Sequence, residues 1–124
     1  MQDTRNSEFH DSKNLIAADK VEGTSLFARD GDKLGTVRKV MIDKQSGEVS
    51  HALVGYGGIL GMGEDYYPVP WDALRYDEKK DGYVCSVDQS QLKRQAAPRF
   101  TKDNQPDWNK EYQRTVRAYY IPNI

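Results

Sequence analysis

The chain is poor in the residues that most often carry chemistry. It has one cysteine, Cys85, and two histidines, His10 and His51, in 124 residues. A single cysteine excludes an internal disulfide and agrees with a reducing compartment. Zinc takes about four His, Cys or carboxylate ligands in close geometry, and one cysteine with two distant histidines makes no such set. Nucleophilic catalysis needs a nucleophile held by a base. The two candidates in the body, Cys85 and His51, both fall inside strand patterns and read as core or face fillers. No apolar run approaches the roughly 20 residues of a membrane-spanning helix. The first 13 residues, MQDTRNSEFHDSK, lack the apolar stretch of a signal peptide. The expectation is a cytoplasmic protein with no direct membrane insertion, no metal or cofactor and no enzymatic activity.

Charge is abundant but nearly balanced, with a formal net of −1. Its distribution is uneven. Residues 21–90 carry eight Lys/Arg against twelve Asp/Glu, a net of −4, and residues 91–124 carry seven against three, a net of +4. An acidic body argues against nucleic acid as a partner, since a phosphate backbone requires a basic face. The basic tail reads as lying on an acidic surface, its own or a partner's.

The most organised stretch is 53–74, LVGYGGILGMGEDYYPVPWDAL. It holds Gly55, Gly57, Gly58, Gly61 and Gly63, half of the ten glycines, interleaved with Ile59, Leu60 and Met62. Such density marks a tight backbone path. The apolar residues among the glycines predict a tip that lays side chains against something. A dinucleotide-binding fingerprint counted from Gly55 fails, because Leu60 stands where the third glycine belongs. Gly58 and Gly63 have the spacing of a phosphate-binding P-loop, but Glu64 and Asp65 occupy the positions of its lysine and hydroxyl. Asp30-Gly31-Asp32 opens like a calcium loop, yet its fifth and twelfth positions are Leu34 and Met41. The carboxylates Glu64, Asp65 and Asp72 form an acidic group for which loop solvation and turn capping are the simpler roles.

Read in order, 1–14 is polar and patternless, a disordered segment. Strands are predicted at 21–29, 35–43, 48–55, 74–76 and 83–87. Lys44-Gln45-Ser46-Gly47 is a hairpin connection, with Gly47 at positive φ. Residues 48–55 are apolar on both alternating faces, the mark of a central strand. Pro68 and Pro70 fit an edge strand, and 70–73 reads as one helical turn. Asp88 suits the N-cap of a helix over 89–95. Residues 96–124 form a linker and a helix starting near Pro106. Its stripe, Trp108, Tyr112, Val116 and Tyr119, is spaced to dock on a barrel, in cis or across a dimer.

Several motifs occur together: Val21-x-Gly23-Thr24, Gly31-x-x-Leu34-Gly35-x-Val37, Val40-Met41-Ile42-Asp43-Lys44-x-Ser46-Gly47-x-Val49, the glycine tip at 57–63, and Pro68-Val69-Pro70-Trp71-x-x-Leu74. In this order and spacing, over about residues 15–92, they resemble the PRC-barrel domain. That domain is shared by the H subunit of bacterial photosynthetic reaction centres and by ribosome maturation factors of the 16S processing type. The resemblance implies a mainly β fold, a small antiparallel barrel over 15–95 with a short helix after its last strand and a C-terminal helical tail. It also implies use of the barrel as a docking surface. Ile59, Leu60, Met62, Tyr66, Trp71, Trp108, Tyr112, Val116 and Tyr119 are the expected interaction residues, since aromatic and Met side chains are enriched at interfaces. The expected partners are a second copy of the chain, giving a homodimer, and a further protein. The competing readings are a small-ligand or metal-sensing barrel with its site near His51, Glu64 and Asp65, and an adaptor on RNA or the ribosome.

Overall fold

The computed structural model describes residues 14–57 and 63–121. The glycine tip, with Ile59, Leu60 and Met62, lies outside the described residues, as does the N-terminal segment expected to be disordered. Six strands form one sheet: β1 (Ser25–Phe27), β2 (Lys33–Ile42), β3 (Val49–Tyr56), β4 (Asp65–Pro70), β5 (Leu74–Asp77) and β6 (Gly82–Cys85). Their order is β4-β3-β2-β1-β6-β5. The two outermost strands, β4 and β5, are consecutive in the chain and joined by one 3-10 turn, Trp71–Ala73. The sheet therefore curls into a half-barrel whose ends are tied covalently. The body is mainly β, as the sequence predicts. It is mixed rather than wholly antiparallel, because β1 and β6 run parallel while the other pairings are antiparallel. No hairpin links β1 to β6, so nothing in the local sequence sets their relative direction.

Each strand has a local cause. Asp43 opens the β2–β3 hairpin, its carboxylate accepting from the Gln45 and Ser46 amides at 2.9 Å, and Gly47 takes φ +77°. Those amide bonds also hold the Asp43 carboxyl below the usual carboxylate range. Residues 51–55 of β3 are buried without alternation, because β2 and β4 flank the strand and both of its faces are covered. β4 is an end strand, where the missing N–H groups of Pro68 and Pro70 cost no ladder bond. The alternation of β2 breaks at two register shifts, between Val37 and Lys39 and between Met41 and Ile42. Such bulges re-aim the side chains. Leu34 and Val37 thus reach the core while Ile42 remains half exposed. The strand expected over 21–29 is shorter, because Ala18–Val21 forms a turn of helix, α1, and Gly23 at φ +93° redirects the chain.

Two further helices follow the sheet. In α2 (Gln89–Lys93), Asp88 caps the Gln91 amide at 3.1 Å. The helix α3 (Lys110–Tyr120) starts four residues after Pro106, because Asn109 supplies the cap, accepting from the Tyr112 amide at 2.8 Å. Between them Phe100 pairs with Tyr66 through two backbone bonds of 2.8 and 3.0 Å, which covers part of the outer edge of β4. The core unites the sheet residues Leu26, Leu34, Val37, Val54 and Val69 with Leu92 of α2 and Val116 and Tyr120 of α3. The tail is thus docked in cis, on the barrel of its own chain.

Candidate functional site

The start of β3 and one flank of α3 border an open cleft. Val49, Ser50 and His51 line one wall and Lys110, Gln113, Arg114 and Arg117 the other, with Asp72 at the 3-10 turn; its volume is about 320 Å³. A second depression of about 360 Å³ adjoins it, sharing Ser50, His51 and Gln113 and adding Trp108 and Asp43. Lys110, Arg114 and Arg117 stand at i, i+4 and i+7 of one helix, so one face presents all three. Arg117 donates to the Asp72 carboxylate at 2.7 Å. Asp72 therefore anchors α3 and does not cap the turn after Trp71, which has no side-chain cap. Among the described residues, Lys110 and Arg114 have no carboxylate within ion-pair distance.

His51 sits between these walls and is 95% buried, with 5% of its surface exposed. Its Nδ1 lies 2.6 Å from Ser50 Oγ, and its ring faces Trp108 at 5.7 Å between centroids. Its Nε2 is buried with no hydrogen-bond partner among the described residues. Burial lowers its pKa first, the nearby Arg117 guanidinium lowers it further, and Asp72 opposes them. The ring is held neutral. Cys85 is also buried, and burial pushes its thiol up, away from the thiolate that nucleophilic chemistry needs.

An aromatic run continues from His51. Trp108 meets Tyr112 at 5.3 Å and Phe100 at 6.1 Å, and Phe100 stacks on Tyr66 at 5.9 Å. Trp108, Tyr112 and Tyr66 are each half-buried. Of the interaction residues expected from sequence, the structure brings these three together. Trp71 stands apart, packed on Tyr83 at 5.2 Å. Val116 is fully buried in the core. Tyr119 is half-buried, and its hydroxyl donates to the Gln91 carbonyl, tying α3 to α2. The sequence reading missed Tyr120, which is 4% exposed and more deeply buried than Tyr119. The steps of four from 112 to 116 to 120 carry that signal, whereas a last step of three leads to Tyr119.

The residues proposed for a metal or ligand site do not converge. His51 pairs with Pro70 at one end of the β3–β4 ladder, and Asp65 pairs with Tyr56 at the other. Five residues of strand separate them, about 17 Å. Glu64 does not solvate a loop end, since its side chain is 8% exposed and takes both donors of Arg38, at 3.1 and 2.8 Å. That bidentate bond raises the Arg38 pKa. Among the described residues, no three His, Cys, Asp or Glu side chains group as metal ligands. No helix there is long and apolar enough to cross a membrane.

Fold and site together define a small half-barrel domain whose own C-terminal helix closes over one face. The family model for the PRC-barrel domain matches residues 13–92, and the chain belongs to that family. An uncharacterized protein of Deinococcus radiodurans is 29% identical over 113 residues, which cover 82% of this chain and 40% of that protein. The chain thus spans less than half the length of this relative.

Proposed function

We propose that this protein is a non-enzymatic docking module that assembles with a second copy of itself, the specific pathway being set by a further protein partner. The observation that supports this reading is the aromatic run Tyr66–Phe100–Trp108–Tyr112, which starts at the outer edge of β4. Tyr66, Trp108 and Tyr112 are half-buried around the buried Phe100, and partly exposed aromatic side chains supply contact area at small entropic cost. The connection from β3 to β4, which carries Ile59, Leu60 and Met62, leaves the same end of β4 at Asp65, next to Tyr66. Its flanks are narrow-turn positions, Gly57 at φ +77° and Gly63 at φ +74°.

A stable interface buries on the order of 800 Å² per partner, and a charge placed at its centre is costly. The double variant Leu60→Asp/Met62→Asp is expected to convert a dimer to a monomer in sedimentation velocity while keeping the far-ultraviolet spectrum of the barrel. A wild-type chain that stays monomeric at high micromolar concentration sinks the self-association reading. An unchanged dimer in the variant removes the β3–β4 connection from the interface.

A further inference from the structure

We propose that the cleft between β3 and α3 is a binding site for a phosphate group, gripped by Lys110 and Arg114 with Gln113 and His51 as neutral donors. The reading is independent of self-association and rests on the walls of the cleft.

Three cationic side chains line it against one carboxylate, Asp72. Asp72 is already matched to Arg117 at 2.7 Å. Two positive charges, Lys110 and Arg114, remain one helical turn apart on the same face, and among the described residues neither is within ion-pair distance of a carboxylate. Asp43, in the adjoining depression, is near enough to feel the field of Lys110 but makes no ion pair with it. Two unmatched cations suit a compact dianion better than a single carboxylate, because each can take a separate oxygen. The Gln113 amide, which donates to the Trp108 carbonyl at 3.0 Å, keeps a second N–H for a ligand oxygen.

The second, independent observation is His51. A buried ring nitrogen without a partner is unfavourable, and this one belongs to a side chain that lines the cleft. When Ser50 donates to Nδ1, Nε2 carries the proton and lacks only an acceptor. A small displacement of the ring toward the cleft would give it a ligand oxygen. The volume of about 320 Å³ admits a phosphate with a short organic substituent, at the lower bound of ordinary ligand pockets.

The test uses the full chain, labelled with 15N, titrated at pH 7 with inorganic phosphate and, separately, with sodium chloride at matched ionic strength. Saturable shifts of the Ser50, His51 and Gln113 resonances are expected with phosphate and not with chloride. Lys110→Gln/Arg114→Gln should weaken binding at least tenfold. Both positions are exposed, so the fold should persist, and Arg114→Gln alone gives the same reading should the pair unfold. A parallel titration with phenyl phosphate separates the two sources of the group. Tighter binding than inorganic phosphate marks the end group of a larger molecule, and weaker binding marks the free ion. Shifts that chloride reproduces, shifts that never saturate, or full affinity in the Arg114→Gln chain would overturn the assignment.

Discussion

His51 shows how one side chain can set a pH limit on the fold. Its native pKa is depressed, chiefly by burial and then by Arg117, against the pull of Asp72. The native state therefore binds fewer protons at this site than the unfolded chain does. Its neutral ring contributes full stability above the unfolded pKa of about 6.5, and that contribution is lost as the pH falls through it toward the native value. Urea midpoints measured from pH 7.5 to 5.0 should fall for the wild type and fall less for His51→Phe, which keeps an aromatic ring against Trp108. Equal slopes would place the acid sensitivity elsewhere. Gly55 sets a different limit. A Cβ there would meet Glu64 Oε1 at 2.7 Å and Arg38 Cγ at 2.9 Å, inside the Arg38–Glu64 pair. Gly55→Ala should destabilise the chain by about 1–3 kcal/mol, read as a lower denaturant midpoint. Neither role was visible beforehand. Gly55 read as the end of a predicted strand entering a tight glycine path, and Arg38, the partner of the buried Glu64, lies 26 positions from it.

At the scale of the element, α3 is the part whose fate the sequence left open. Eleven residues are too few for a stable helix in water, so its order depends on docking. The Asn109 cap, the Arg117–Asp72 pair and the Tyr119–Gln91 bond fix its ends. Val116, fully buried, supplies the apolar contact at its centre. Val116→Ala should lower stability by about 2–3 kcal/mol, from two lost carbons and the cavity left behind. Thermal denaturation checks this, and a change below about 0.5 kcal/mol would mean that the helix contributes little to the core. The amphipathic stripe was readable from spacing alone. Its choice of surface was not, because both the chain's own barrel and a partner's are within reach of a linker this long.

For the whole molecule, the tail and the barrel share one core. Val116 and Tyr120 belong to the same buried cluster as Leu26, Val54 and Val69, and Phe100 adds backbone bonds at the edge of β4. A chain ending at Ala97 would expose that cluster. With total stabilities of 5–15 kcal/mol typical of domains, losing several kcal/mol should lower the melting temperature markedly and raise hydrogen exchange across β3 and β4. A truncated chain that melts like the full one would show the tail to be an independent appendage.

What the sequence by itself determined was whatever depends on neighbours a few residues apart. The hairpin at 44–47, the end-strand prolines, the Asp88 cap and the doubly apolar centre of β3 are all local or period-two signals, and the family motifs add the mainly β barrel class. Tertiary structure alone decided the parallel joining of β1 to β6, the Arg38–Glu64 and Arg117–Asp72 pairs, and the cleft over His51. Each of these brings together groups far apart in the chain. Their meeting depends on how the sheet curls and where α3 lands, and no periodicity in a single segment encodes that.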